Sequence, residues 1–147
     1  MMKEIPQAEL AYWAGFIDGE GSIFIKKEKS RAGRVTPIYE LALKVENTNK
    51  EVIERFFKTF QSGYKTYREK NGKNGKPLYG VTIKQQKALN ILEMLEPFII
   101  VKKKNIEIAK AFLNLKTEFH GKTLSDEEVK KREYFYQEMK KLNMRGR

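Results

Sequence analysis

The chain has 147 residues, no cysteine and a net charge of +11, since 30 lysines and arginines stand against 19 acidic residues. This length suits one domain, residues 1–147, and the lack of cysteine excludes disulfides and thiolate metal sites. The positive charge favours a polyanionic partner such as a nucleic acid. Neither a long apolar run nor an N-terminal signal segment is present, so we expect no membrane partner and an intracellular protein that is not secreted.

Residues 10–21 have the periodicity of a helix with two unlike faces. The bulky side chains suited to a core share one face: Leu10, Trp13, Ala14 and Ile17. Small residues recur at every fourth position of another face: Ala11, Gly15 and Gly19. Because each helical glycine costs about 1 kcal/mol relative to alanine, we expect this small stripe to permit the close approach of another helix, from a second copy of the chain or from the same chain.

Two carboxylates, Asp18 and Glu20, fall at the predicted end of this helix. The helix dipole already places partial negative charge there, so both acids are unfavourable unless a cation joins them. The Glu20 carboxylate and a backbone carbonyl at Gly19 are oxygen donors of the kind that Mg²⁺ accepts while it keeps several waters. The pattern therefore predicts a divalent-metal site, with two solvated turn residues as the alternative.

The segments that follow predict two antiparallel hairpins. Residues 22–29 and 36–46 alternate so that the odd-numbered positions are largely apolar and the even-numbered positions largely polar, as in half-buried strands. Residues 64–70 and 77–84 predict a second hairpin around a tip with two Asn-Gly pairs, residues 71–76.

Helical spacing recurs after each hairpin. Thr48 and Glu51 predict a capping box at the start of one helix, and Ser125 and Glu128 predict another at the start of a C-terminal helix. Two further helices are expected on either side of the apolar segment 98–101. The fold class is therefore α+β, an αββαββα core with a four-stranded antiparallel sheet, helices on one face and extra C-terminal helices.

The other face of this sheet is expected to be open. Even-numbered strand residues should point away from the helices, because the core needs the odd-numbered ones and a strand cannot turn both sets to one side. Such a face suits DNA, whose bases pair with Arg and Lys in the major groove and whose phosphates add salt-dependent affinity; an ordinary solvated face is the alternative. We expect DNA contacts from ten residues: Lys26, Glu28, Ser30, Arg34, Ile38, Glu40, Lys44, Thr66, Arg68 and Lys70.

Residues 13–21 resemble the nine-residue signature of the LAGLIDADG homing endonucleases. Five positions match it: Ala14, Gly15, Ile17, Asp18 and Gly21. Phe16 and Gly19 are common variants, whereas Trp13 replaces a leucine and Glu20 replaces the final aspartate. The resemblance continues into the next two residues and, by the order of elements, extends over nearly the whole chain.

Since only one such motif occurs in 147 residues, the resemblance implies a homodimer and a long, roughly palindromic double-stranded DNA site. It also implies a saddle-like sheet and an origin within an intron or intein-like mobile element, in an organelle or a prokaryotic cytoplasm. The dimer interface is expected along four residues of the first helix: Ala11, Gly15, Asp18 and Gly19.

The resemblance further implies a hydrolase that cuts both DNA strands with Mg²⁺ or Mn²⁺. Glu20 and Gly19 are the expected metal ligands, and Asp18 is expected to tie down the helix end. Glu20, Asn47 and Lys102 are the expected catalytic residues, the last two beside the water network. Which of the three lysines 102–104 acts stays open at this point.

Three rival functions also fit the basic charge. They are an RNA maturase that assists intron splicing, a DNA-binding module that does not cut, and an RNA-binding protein of the ribosomal type. Retention of Glu20 speaks against the non-cutting module. A ribosomal-type protein has no use for the small stripe and its terminal acids.

Overall fold

The computed structural model describes residues 4–29, 36–69, 75–115 and 123–145, the last without the Arg145 side chain. The elements follow in the order α1 (Gln7–Glu20), β1 (Gly21–Glu28), β2 (Ile38–Asn47), α2 (Lys50–Phe60), β3 (Tyr64–Arg68), β4 (Leu78–Lys84), α3 (Gln85–Leu95), a 3-10 turn (Glu96–Phe98), α4 (Lys103–Leu113) and α5 (Asp126–Arg145). The predicted αββαββα order with additional C-terminal helices is confirmed, with strand ends shifted by one or a few residues.

The strands form one antiparallel sheet in the order β1-β2-β4-β3. Lys44 of β2 pairs with Ser22 of β1 and with Thr82 of β4, and Tyr64 of β3 pairs with the same Thr82. This register aligns the even-numbered residues of all these strands on one face, since successive side chains alternate between faces. β1 and β3 are the two edges of the sheet.

The core lies between the helices and the odd-numbered face of the sheet. Three α1 residues have no exposed surface: Trp13, Ala14 and Ile17. Eight odd-numbered strand residues are at most 7% exposed: Ile23, Ile25, Tyr39, Leu41, Leu43, Val45, Val81 and Ile83. The predicted inward faces are thus confirmed, while Leu10 is partly buried and packs against this core. Ala42 belongs to the outward face but is covered, because it lies in register between the larger Phe24 and Lys84.

One of the two predicted capping boxes is wrong. Helix α2 begins at Lys50, and its cap is Asn49, whose Oδ1 accepts a hydrogen bond from the backbone N–H of Val52 at 3.0 Å. Glu51 is then the second helical residue, one position short of where a side chain reaches back to the cap. The box at α5 is confirmed, because the Ser125 N–H donates to the Glu128 carboxylate at 2.9 Å and the Glu128 N–H donates to the Ser125 hydroxyl at 3.1 Å.

Helix α5 is held against β1 and β2 by Glu133. Its carboxylate accepts hydrogen bonds from Lys27 Nζ and from the Tyr39 hydroxyl, both at 2.7 Å. Hydrogen bonds from Gln137, Lys27 and Tyr39 lower the pKa of Glu133 to about 2. Burial, with the hydrogen bond to Glu133, raises the pKa of Tyr39.

The C-terminal part of α5 also contacts β1. Asn143 donates from Nδ2 to the carbonyl of Ile23 at 3.0 Å and accepts from Asn105 of α4 at 2.9 Å. A helix therefore covers this edge strand, which protects its backbone from pairing with other chains. Over the described ranges, no helix combines the length and apolar character needed to cross a membrane.

Candidate catalytic cleft and nucleic-acid interface

Helix α1 ends at Glu20 and the chain passes directly into β1. The Gly21 N–H donates to the carbonyl of Ile17, and a Cβ on Gly21 would lie 2.9 Å from that carbonyl oxygen. Only glycine permits this close approach of the turn to the helix. The tight exit leaves Gly19 and Glu20 exposed at the helix end.

Asp18 joins this helix end to the segment before α4. Its carboxylate accepts hydrogen bonds from the backbone N–H of Ile100 at 2.8 Å and of Lys102 at 3.1 Å. In return, Lys102 Nζ donates to the Asp18 carbonyl at 2.8 Å, where the helix has unsatisfied carbonyls and partial negative charge. The carboxylate is thus occupied in tying down the helix end.

The structure distinguishes the three consecutive lysines. Lys102 is half-buried and reaches α1, whereas Lys103 and Lys104 are exposed. Lys102 is therefore the lysine that is held in a fixed position at the helix end.

A cleft of about 770 Å³ opens beside this contact. It is bounded by the end of α1, the first halves of β1 and α4, the second half of β2 and the end of α5. Its lining residues are Gly19, Gly21, Ser22, Phe24, Lys44, Glu46, Val101, Lys102, Lys104, Asn105, Leu142 and Asn143. Of the predicted catalytic and metal residues, the cleft brings together Gly19 and Lys102, while Glu20 and Asn47 are not part of its wall.

Glu20 and Asn47 differ in how far their side chains are occupied. Glu20 is exposed and makes no hydrogen bond or ion pair within the described part of the chain. Asn47, at the end of β2, is half-buried and its Oδ1 accepts from the Asn49 N–H at 2.8 Å. The free carboxylate belongs to Glu20, and the Asn47 side-chain oxygen is used in the turn into α2.

The donors at the end of α1 fit a magnesium ion only as part of a larger set. Among the residues that the structure describes, no three His, Cys, Asp or Glu residues lie close enough to hold a metal. Mg²⁺ is commonly held by one or two carboxylates together with waters and substrate phosphates. The Glu20 carboxylate and the Gly19 carbonyl match that requirement, provided that further oxygens come from outside this single chain.

The small stripe of α1 faces open space. Gly15 and Gly19 are exposed, and a Cβ added to either would find no atom within 4 Å. The alternative that the stripe packs on another helix of the same chain is therefore wrong for the described residues. Beside the end of α1, the apolar side chains of Ile100 and Val101 are 80% and 71% exposed.

The open face of the sheet carries acids as well as bases. Between residues that the structure describes, four ion pairs form on it: Lys26 with Glu28 at 2.8 Å, Lys84 with Glu40 at 3.4 Å, Lys44 with Glu46 at 3.3 Å and Arg68 with Glu46 at 2.7 Å. The hydrogen bond to Glu28 raises the pKa of Lys26. In the described part of this face, Lys26, Lys44, Arg68 and Lys84 each have a carboxylate neighbour.

The described members of the predicted DNA-contact set have even-numbered positions on this face, and none is buried: Lys26, Glu28, Ile38, Glu40, Lys44, Thr66 and Arg68. Ser30, Arg34 and Lys70 lie outside the described residues, as do residues 71–74 of the predicted hairpin tip. Sequence reasoning missed Glu46, Thr82 and Lys84. The alternation of β2 and β4 was the signal for all three, because Val45, Val81 and Ile83 point inward.

Together the fold and the site define an α+β protein with an open, charged sheet face and an acid-ended helix with an exposed small stripe. Residues 13–115 match the family model described as LAGLIDADG endonuclease. Because this match covers well over half of the chain, the protein belongs to the LAGLIDADG endonuclease family.

Solved structures of homing endonucleases share the fold. They include I-CvuI in complex with its target in the presence of Ca (17% identity, TM-score 0.72, covering 92% of this chain and 82% of that one). The archaeal intron-encoded I-Vdi141I complexed with DNA has 20% identity, a TM-score of 0.71 and coverages of 92% and 84%. I-TnaI has 16% identity, a TM-score of 0.67 and coverages of 97% and 96%. No curated protein matches the sequence at a significant level.

Proposed function

We propose that this protein is a divalent-metal-dependent, site-specific endonuclease that cuts both strands of a long, pseudo-palindromic DNA site. The observation that carries the proposal is the exposed pair of oxygen donors, the Glu20 carboxylate and the Gly19 carbonyl, at the end of a helix whose small stripe faces open space. Similar homing endonucleases have been solved in complex with DNA, in two structures in the presence of Ca or Mg, and this supports the same proposal.

The active species in this proposal is a homodimer. Two α1 helices crossing along Ala11, Gly15 and Gly19 can approach closely, since no side chain of the described chain fills the space beside either glycine. Asp18, the fourth residue of the proposed interface, braces the helix end at that crossing. A two-fold axis there brings two Glu20 carboxylates together, so that the second copy supplies a donor that one chain lacks.

The chemistry follows from the residues at the helix end. A bound divalent ion supplies Lewis acidity and a water activated at neutral pH; the Glu20 carboxylate and the Gly19 carbonyl would hold it. Lys102, whose Nζ lies 2.8 Å from the Asp18 carbonyl, places a cation where a phosphate would enter and favours the added negative charge of the transition state. Asn47 offers its remaining amide hydrogens to the surrounding water.

DNA binding is assigned to the open sheet face. Lys26, Lys44 and Arg68 supply positive charge for phosphates and base edges, while the carboxylates among them repel phosphates unless they accept from a base or orient a cation. Ser30, Arg34 and Lys70, which lie outside the described residues, are also proposed to contact DNA.

The proposal is tested by incubating purified protein with a randomised DNA library, with and without Mg²⁺ or Mn²⁺, and sequencing the ends produced. We expect metal-dependent cuts in both strands at one preferred site. Glu20→Gln should slow cleavage by about 100-fold or more, as loss of a charged metal ligand does, while DNA affinity changes only a few-fold. The matched control is Glu51→Gln, an exposed carboxylate in the first turn of α2.

Cleavage by Glu20→Gln at the wild-type rate would overturn the metal assignment. Preference for structured intron RNA over DNA, without cutting, would favour the maturase. Specific binding with no cutting under any metal would favour a non-cleaving DNA-binding module.

A further inference from the structure

On the open face of the sheet, the side chain of Glu46 reaches across an intervening strand. Glu46 is on β2 and its Oε2 accepts a hydrogen bond from Nη2 of Arg68, on β3, at 2.7 Å. Strand β4 lies between β2 and β3. The same Oε2 is 3.3 Å from Nζ of Lys44. One carboxylate therefore pairs with two cations, Lys44 on one side of β4 and Arg68 on the other.

Gly80 leaves room for this reach. It is the residue of β4 that pairs with Glu46 on one side and with Thr66 on the other. A Cβ on Gly80 would lie 3.1 Å from Glu46 Cγ and 2.6 Å from Thr66 Oγ1. Its φ is not positive, so the backbone conformation does not demand glycine. Glycine weakens a strand interior, and the compensating reason is the space it leaves for Glu46, for Thr66 and for the Val45 carbonyl, which would lie 3.0 Å from the added Cβ.

We propose that Glu46 is a specificity-determining positioning residue, an inference that rests on the proposed DNA-binding function. A guanidinium has five N–H donors in a fixed fork, so an arginine held on one side by a carboxylate keeps donors for a base edge. Released from Glu46, Arg68 moves freely and reaches any nearby phosphate.

The Glu46 charge acts in a second way. A carboxylate on this face repels phosphates, which weakens binding to DNA of any sequence. Holding Arg68 and repelling phosphate both favour the correct site over others. Removing the charge should therefore tighten non-specific binding and relax specificity, two changes of opposite sign that a loss of fold stability would not produce together.

The test compares wild type with Glu46→Gln in binding to a randomised half-site and to non-specific DNA over a range of salt. We expect tighter non-specific binding with a salt slope steeper by up to about 0.9. Discrimination at one base position in each half-site should fall about fivefold or more, within the range that one arginine-guanine contact provides. The matched control is Glu54→Gln, whose carboxylate pairs with Lys65 at 3.2 Å on the helix side of the sheet.

Arg68→Ala should relax the base preference at the same position. Adding Glu46→Gln to Arg68→Ala should cause no further loss of that preference. Gly80→Ala should mimic Glu46→Gln in preference without removing a charge. If Gly80→Ala does not fold, the Glu46 and Arg68 variants still test whether Glu46 positions Arg68. Unchanged preference and salt slope in Glu46→Gln, or additive effects of the two substitutions, would overturn the inference. A wild type with no sequence preference would instead overturn the proposed function itself.

Discussion

Replacing Asp18 is expected to loosen the segment that carries Lys102. The Asp18 carboxylate accepts one backbone N–H from Ile100 at 2.8 Å on Oδ2 and one from Lys102 at 3.1 Å on Oδ1. An asparagine of the same size has one amide oxygen, so one N–H loses its acceptor. Hydrogen bonds to charged groups contribute about 1.5 to 3 kcal/mol each, and the lower end applies because the Ile100 bond is exposed. The free energy of unfolding should fall by about 1.5 to 2 kcal/mol in Asp18→Asn and by about 3 kcal/mol in Asp18→Ala.

Thermal unfolding at one fixed protein concentration is the measurement, since association makes the melting temperature depend on concentration. At about 3 °C per kcal/mol for a chain of this size, Asp18→Asn should lower Tm by about 5 °C and Asp18→Ala by about 9 °C. DNA cleavage should slow by about tenfold or more, because small misplacements of groups at a reacting centre are costly. The control is Glu93→Gln, an exposed carboxylate on α3. Unchanged melting and cleavage in Asp18→Asn would refute this account of how Lys102 is positioned.

The remaining predictions concern assembly and pH. Gly15→Leu or Gly19→Leu should leave the helical content unchanged, because nothing lies within 4 Å of an added Cβ. Either substitution should weaken a dimer by about 1 to 3 kcal/mol through overpacking, which sedimentation measures. A wild type that is monomeric while active on DNA would contradict the interface. Glu133 has its pKa lowered from 4.5 to about 2, so the stability it contributes is present above pH 4.5 and is lost as the pH falls towards 2. Glu133→Gln should therefore lower the free energy of unfolding by about 1 to 2 kcal/mol, after allowance for solvent screening, at pH 6 but much less at pH 2. Equal losses at both pH values in denaturant titrations would contradict that role.

Local pattern was enough to predict the elements and their buried faces. Alternation along β1 and β2 predicted that Ile23, Leu41 and Val45 point inward, because a strand must commit one parity to the core. The Ser125 and Glu128 pair predicted the start of α5 because a capping box is also a local feature, whose two hydrogen bonds join residues three positions apart. The cap of α2 was missed because Asn49 and Thr48 are both good caps, and only the backbone path decides between neighbours.

The sequence by itself determined the family motif, the small stripe and the acids at the end of α1, all of which lie within this helix and the glycine that follows it. Tertiary structure alone decided the contacts between distant segments. Asp18 and Lys102 are 84 positions apart, and the reach of Glu46 to Arg68 depends on a strand order that places β4 between β2 and β3. Periodicity specifies which face of a strand or helix is buried, whereas the partner of an exposed charge is set by register and by which strands become neighbours.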